Sequence, residues 1–193
     1  MNARGCRQLP GRTAATAAAG VALLLAACGQ PADAPAELAD PRGPALLFAA
    51  DQGDLNAAER GQVFGATGLV VAPDGKSFVD GMCGQLASAN VEFRDMNADG
   101  TQEVLVIFGN SCTSGHAGSS AALFIRNREG NLQANLGFPA ASADPLPEKN
   151  GGYPDLLIGG PGFCFAVWRW NGTTYDYLRS DPQMPGGCDH LIE

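Results

Sequence analysis

Histidine is nearly missing from this chain: of 193 residues only His116 and His190 carry an imidazole. No C-x-x-C spacing occurs among the six cysteines either, which speaks against a structural zinc site built from Cys and His. Cations are scarce, 12 Lys and Arg against 20 Asp and Glu for a net charge of −8. Nucleic acid is therefore a poor partner, since its phosphates need Lys and Arg. There is no G-x-S-x-G elbow, zinc-protease motif or haem motif, and the 26 glycines form no phosphate-binding loop. The longest apolar run, residues 14–27, has fourteen residues, too few to span a bilayer.

That run is informative for its flanks. Arg4, Arg7 and Arg12 precede it and Leu25-Ala26-Ala27-Cys28 closes it, meeting the requirements of a secretory signal: a charged flank, a short apolar stretch and small residues before a cut. With Cys at its end, the segment resembles a bacterial lipoprotein signal and its lipobox. The resemblance implies that residues 1–27 are removed and that Cys28 becomes a lipidated first residue, held to a membrane by acyl chains without spanning it. Gly29, rather than Asp, follows the Cys, and the resemblance then implies sorting to the outer membrane of a Gram-negative bacterium, with the domain in the periplasm or at the cell surface. Three arginines and no acid leave with the signal, taking the net charge from −8 to −11. Such a surface suits cations and basic proteins.

Export agrees with the remaining cysteines. Cys83, Cys112, Cys164 and Cys188 are an even set in an oxidising compartment, so two disulfides are expected. Of the three possible pairings, links between chain neighbours, Cys83–Cys112 and Cys164–Cys188, are favoured. Residues 28–45 are rich in Ala, Pro, Asp and Gly without periodicity. They read as a disordered tether, because they bury too little apolar surface to offset ordering entropy. Residues 46–193 are long enough for one domain with a real core.

Within that domain, one short N-terminal helix is predicted over Leu55–Gly65, where Asn56 and Glu59 fit a capping box. The rest reads as mainly β. Apolar runs recur at 69–71, 78–79, 91–93, 104–108, 121–125, 156–158, 165–170 and 175–178, with turn signals at Pro73-Asp74-Gly75, Glu129-Gly130-Asn131 and Asn171-Gly172. Glu103 and the strand after it match Asp155 and its strand fifty-two positions on, and Cys112 matches Cys164 in the same register. Antiparallel sheets with propeller-blade-like repeated units are the expected architecture, although all-β chains also yield short matches of this kind.

Asp95-Met-Asn97-Ala-Asp99-Gly100-Thr101-Gln-Glu103 is the segment whose composition calls for chemistry. Asp95, Asn97 and Asp99 alternate so that three oxygens share one concave side. Gly100 permits a positive-φ turn, Thr101 offers a carbonyl and Glu103 closes the set, a group of hard donors suited to Ca2+. An EF-hand is excluded because Val106 stands where its bidentate Glu would be. The run feeding directly into an apolar strand resembles the FG-GAP and VCBS-type repeats of extracellular β-domains, which implies a structural calcium. A weaker echo at 150–155 lacks the upstream ligands. Asp, Asn and Gly are also favoured turn residues, so a metal-free Asx turn fits the same letters.

The segment 109–120 places Ser111, Cys112, Ser114 and His116 close together, and an envelope hydrolase using them is one reading. A disulfide at Cys112 removes its thiolate, and a stapled Gly/Ser loop is the competing reading. Trp168 and Trp170, two apart, share one side of a strand as core or as a binding surface. Together these readings favour a non-enzymatic envelope lipoprotein whose calcium-stabilised β-domain binds a protein partner. Similar calcium-loop lipoproteins include immunity proteins against peptidoglycan-cleaving enzymes, and a basic enzyme of that kind would complement the acidic surface.

Overall fold

The computed structural model describes residues 40–189. The signal segment, Cys28, positions 28–39 of the tether and His190 lie outside the described residues. By contacts the chain divides into units 1–36 and 37–193, and the second of these carries every element below.

Two helices open the domain. The first, α1 (Arg42–Leu47), begins inside the stretch expected to be tether. Its order comes from tertiary contacts: Leu47 and Phe48 are buried in the core, and Gly43 presses so closely on the Phe64 ring that a side chain there would collide. The second, α2 (Ala57–Thr67), carries the expected capping box. The Asn56 side chain accepts the Ala58 and Glu59 amides at 2.9 and 3.0 Å, and the Glu59 carboxylate accepts the Asn56 amide at 2.9 Å. Gly68 ends the helix in the left-handed region, φ +65°.

Ten strands come next, in two antiparallel sheets. The first sheet runs in chain order through β1 (Leu69–Val71), β2 (Phe78–Asp80), β3 (Leu86–Arg94), β4 (Glu103–Gly109), β5 (Ser120–Arg126) and β6 (Leu132–Pro139). The second holds β7 (Ser142–Asn150), β8 (Tyr153–Gly159), β9 (Cys164–Trp170) and β10 (Tyr175–Pro182), again as a meander. Between β4 and β5 lie a helical turn, α3 (Ser111–Ser114), and a 3-10 turn at Gly115–Ala117, so three helices stand where one was expected. The three expected turns each join a strand pair, β1–β2, β5–β6 and β9–β10. The sheets do not close on themselves.

Alternation along β4 shows the layering. Val104 and Val106, fully buried, face α1 and α2 in a cluster with Phe48, Val63, Phe64 and Phe124. Leu105 faces the second sheet, in a cluster with Leu123, Leu156, Ile158, Trp170 and Tyr175. The first sheet is thus covered on both faces, by helices on one and by the second sheet on the other. Because strand side chains alternate between faces, residue 103 belongs with 105 and points between the sheets. The disulfides join Cys83 to Cys112 and Cys164 to Cys188. Cys112 therefore links backward along the chain, and its sequence match Cys164 links forward.

Candidate functional site

The segment between β3 and β4 folds as a ladder of Asx turns. Asp95 accepts the amides of Asp99 and Gly100 at 3.1 and 2.9 Å, Asn97 accepts that of Asp99 at 3.0 Å, and Asp99 accepts that of Thr101 at 2.7 Å. The Asn97 amide donates to the other Asp99 oxygen at 2.7 Å, and with the Thr101 amide it holds the Asp99 carboxyl below its ordinary range. The turn needs positive φ twice, at Ala98 (+63°) and Gly100 (+89°), and a side chain at the first of these is strained.

Glu103 is placed differently from the three residues before it. It is 3% exposed, and both oxygens are engaged: one accepts the Met96 amide at 2.7 Å, the other the Tyr153 hydroxyl at 3.0 Å. Burial raises its pKa, and its charge in turn adds to the burial that raises that of Tyr153. The Glu103–Tyr153 bond joins the first sheet to the second.

The ligand set can be tested on these positions. Each side-chain oxygen of Asp95, Asn97 and Asp99 accepts one N–H and keeps a second lone pair. These three, with the Thr101 carbonyl, are hard oxygen donors of the kind Ca2+ takes, whereas Glu103 differs from them in being buried, with each oxygen on one protein donor. Among the described residues no three His, Cys, Asp or Glu side chains stand together as metal ligands, so a cation here would rest on two carboxylates and neutral oxygens. Low ligand charge places such a site with the weak extracellular calcium sites, about 10⁻⁴–10⁻³ M.

Beside this turn the two sheets part into a cleft of about 570 Å³. Ile125, Tyr153 and Trp170 line it between the sheets, Asp99 enters from the Asx ladder, and the β5–β6 and β9–β10 hairpins contribute Arg126–Glu129, Gln133, Asn135, Gly172 and Thr173. Its walls are tied together. Asn135 on β6 donates to the Thr173 carbonyl in the β9–β10 turn at 3.2 Å and accepts the amide of Tyr175, the first residue of β10, at 3.0 Å. Arg126 is fixed by the Glu59 carboxylate and by the Gly130 carbonyl. Sequence reasoning missed this cleft, whose residues come from separate turns with no shared spacing.

The Ser/His segment lies at the other end of the first sheet. Cys112 is bonded to Cys83, the Ser114 hydroxyl is buried on that of Ser120 at 2.8 Å, and Ser119 donates to the Ala140 carbonyl at 3.0 Å. Thr113 donates to Asp80 at 2.8 Å, while His116 is exposed on the 3-10 turn. Trp168 and Trp170 both face the space between sheets, stacked on Phe138 at 5.1 Å and tilted against Tyr153 at 4.5 Å. They are core, and Trp170 also lines the cleft. No helix among the described residues is long and apolar enough to cross a membrane. No family model, curated protein or solved structure matches the chain.

Proposed function

We propose that this protein is a non-enzymatic lipoprotein of a bacterial outer membrane whose β-domain binds an envelope component at the cleft end of its two sheets. The observation that carries the reading is how polar groups are used at the two ends of the first sheet. At the Ser/His end, Cys112 and the hydroxyls of Thr113, Ser114 and Ser119 are engaged within the protein, and His116 and Ser111 stand exposed outside any cleft described for that end. At the cleft end, polar side chains surround an open space with a partly apolar floor, the usual makeup of a binding site. The lipobox resemblance supplies the anchor at Cys28, and a weak Ca2+ held by Asp95, Asn97, Asp99 and the Thr101 carbonyl would brace the turn that forms one wall. Strands β3–β6 of the first sheet and β7–β10 of the second would be two propeller-blade-like units left open rather than closed into a ring.

The test combines labelling with site-directed photo-crosslinking of the full chain expressed in a Gram-negative host. Labelled palmitate should enter the wild type and not Cys28→Ser. A photo-crosslinker at Thr173, on the cleft rim, should capture an envelope component, and the same group at Ser111 should capture none. Absence of label overturns the anchor, and capture from Ser111 alone overturns the cleft in favour of the hydrolase end.

A further inference from the structure

We infer that the end of the domain opposite the cleft rests on the bilayer that holds Cys28, with Met82, Leu86 and Phe163 entering its apolar region; this rests on the lipid anchor proposed above. Both sheets share that end. Ala140 and Ala141, which carry the chain from β6 into β7, donate to the Ser119 carbonyl before β5 at 3.0 Å and to the Gly159 carbonyl closing β8 at 2.8 Å. Because neighbouring strands run antiparallel, segments 81–85, 110–119, 140–141, 160–163 and 183–188 gather there, stapled by the two disulfides. None of the five contains Asp, Glu, Lys or Arg, in a chain with 20 acids and 12 Lys and Arg. Asp80 at their border is buried, its carboxylate spent on the Met82 and Cys83 amides and the Thr113 hydroxyl. Asp181 pairs with Arg179, and Asp189 is the first charge after them. The turns at the cleft end instead carry Asp95, Asp99, Arg128 and Glu129.

What the charge-free end shows to solvent is apolar. Met82, Leu86 and Phe163 are 87%, 73% and 60% exposed, and Val70 and Met184 are about half exposed. Val70, Val79 and Leu86 are cross-strand partners in one row over β1, β2 and β3, so their side chains share a face. The loops carrying Phe163 and Met184 are held together: the Gln183 amide donates to the Phe163 carbonyl at 2.8 Å, and a side chain at Gly187 would strike the carbonyls of both. Met82 and Phe163 each adjoin a disulfide cysteine, so these tips enter a bilayer with little ordering left to lose.

The route of the chain names a bilayer as the occupant. Gly43 in α1 packs on Phe64 late in α2, and the Gly68 carbonyl just past α2 accepts the Gly81 amide at 3.0 Å, whereas Phe48 after α1 reaches Phe93 at the cleft end of β3. Asp40 therefore enters the domain from the charge-free side, its carboxylate paired with Arg42. Twelve peptide steps separate it from Cys28, a reach of at most about 42 Å. An acidic domain held that close to anionic headgroups is repelled on every face that carries its acids, and the end without them is the one that can approach. Tethering keeps the local concentration high, so a few inserted side chains suffice to orient the domain. The cleft then points away from the membrane.

The lipidated full chain, reconstituted in vesicles of phosphatidylethanolamine and phosphatidylglycerol with an environment-sensitive fluorescent amino acid at Met82 or at Arg128, tests this. Lipids carrying a quencher high on the acyl chain should remove at least about half of the emission at Met82, since interfacial segments sink about 5–10 Å, and little of that at Arg128. Phe163→Asp and Leu86→Asp should each reduce the Met82 quenching at least about two-fold, because a carboxylate resists leaving water. Both side chains are exposed, so these variants should melt at the wild-type temperature. Quenching should persist in about 0.5 M salt, because no Lys or Arg stands in these segments to bind headgroups. No quenching at Met82, equal quenching at Arg128, loss of quenching in salt, or unchanged quenching in both Asp variants each overturns the inference. A Met82 emission shift that grows with protein density in the vesicles and ignores the quencher assigns this end to a second copy, and overturns it as well. A chain that takes up palmitate but is not quenched at Met82 refutes the docking alone and leaves the anchor standing. Lipid adducts do not enter the comparison of Thr173 with Ser111, which is read from captured protein or glycan, so the cleft reading stands or falls independently.

Discussion

Glu103 on β4 and Asp155 on β8 are both buried carboxylates, one in each sheet, yet one is held by neutral donors and the other by a guanidinium. Asp155 is fully buried and accepts Arg169 through both oxygens, at 2.9 and 2.7 Å. Among the described residues no cation pairs with Glu103: a main-chain amide and a tyrosine hydroxyl hold it, and burial raises its pKa. The difference comes from where each acid points. Glu103 faces the space between the sheets, where a hydroxyl from the second sheet can reach it and a long cation would disturb aromatic packing. Asp155 alternates to the opposite face of its strand from Leu156, where Arg169 can cover it while remaining 39% exposed at its own side chain. A neutral donor therefore joins the sheets to each other, and a charged one acts within the second sheet.

The largest effect should come from removing the cation. Arg169→Leu leaves Asp155 buried without a countercharge, and the melting temperature should fall by roughly 5–10 °C. Adding Asp155→Leu in the same chain should recover most of that loss, since an apolar pair of similar volume commonly replaces a buried ion pair without penalty. If the double variant melts as low as the single, packing around Arg169 rather than pairing carries the effect.

Next comes the bond between the sheets. Tyr153→Phe keeps the ring and leaves one oxygen of a buried carboxylate without its donor, at a cost of about 1–2 kcal/mol in urea denaturation. Glu103→Gln should show the cause as a pH slope. Its raised pKa means that the folded state holds this proton more tightly than the unfolded chain does. Stability from that source is complete below the ordinary Glu pKa and is lost as pH rises through the folded value. In EDTA, Glu103→Gln should therefore gain on the wild type as pH rises from about 4 to 7; a flat difference would mean that burial does not set the proton affinity of Glu103.

Much of this layout is legible in the sequence. The capping box, the three turns and the central strands are local signals, each written in a few adjacent residues. Leu132–Pro139 and Ser142–Asn150 carry no such strand signal. Both are sheet edges, β6 of the first and β7 of the second, and β7 carries Pro145 and Pro147 beside a register shift between Pro145 and Lys149. Proline is tolerated at an edge because one side of the strand needs no ladder, so the composition that argues against a strand is the signature of its position. Composition carries the tether too far for a similar reason: Arg42–Leu47 is ordered by contacts with Phe64 and the core, which local sequence does not reveal. The loop at 95–103 is legible as a turn with Asp95, Asn97 and Asp99 gathered in it. The direction of Glu103 is not, because it depends on Tyr153 fifty residues away.

Calcium bears on the same contrast from another side. A cation on Asp95, Asn97 and Asp99 would lie next to the Glu103–Tyr153 bond and would stiffen the wall that this bond already holds. Between about 0.1 and 10 mM calcium, a range set by weak extracellular sites, the melting temperature should rise by about 3–5 °C, the shift expected near ten times the dissociation constant. Asp99→Ala should abolish the rise. A response retained in Asp99→Ala and lost in Glu103→Gln would instead put the buried acid in the ligand set.

The smallest effect separates charge pairing from burial. Glu59 and Arg126 form an ion pair like that of Asp155 and Arg169, but with side chains 15% and 20% exposed and at the cleft end of the first sheet. Arg126 first, and then the Asn56 amide, hold the Glu59 pKa below its ordinary value against a modest desolvation. The sign is opposite to that of Glu103: this stability is present above the ordinary Glu pKa and is lost as pH falls through the folded one. Glu59→Gln should cost about 1 kcal/mol or less at pH 7, with the gap to the wild type closing as pH drops below about 4. Two glutamates in one domain, neutralised by the same substitution, should thus give slopes of opposite sign. If both variants slope alike, the partner of each carboxylate matters less than its depth, and the contrast between neutral and cationic holding dissolves.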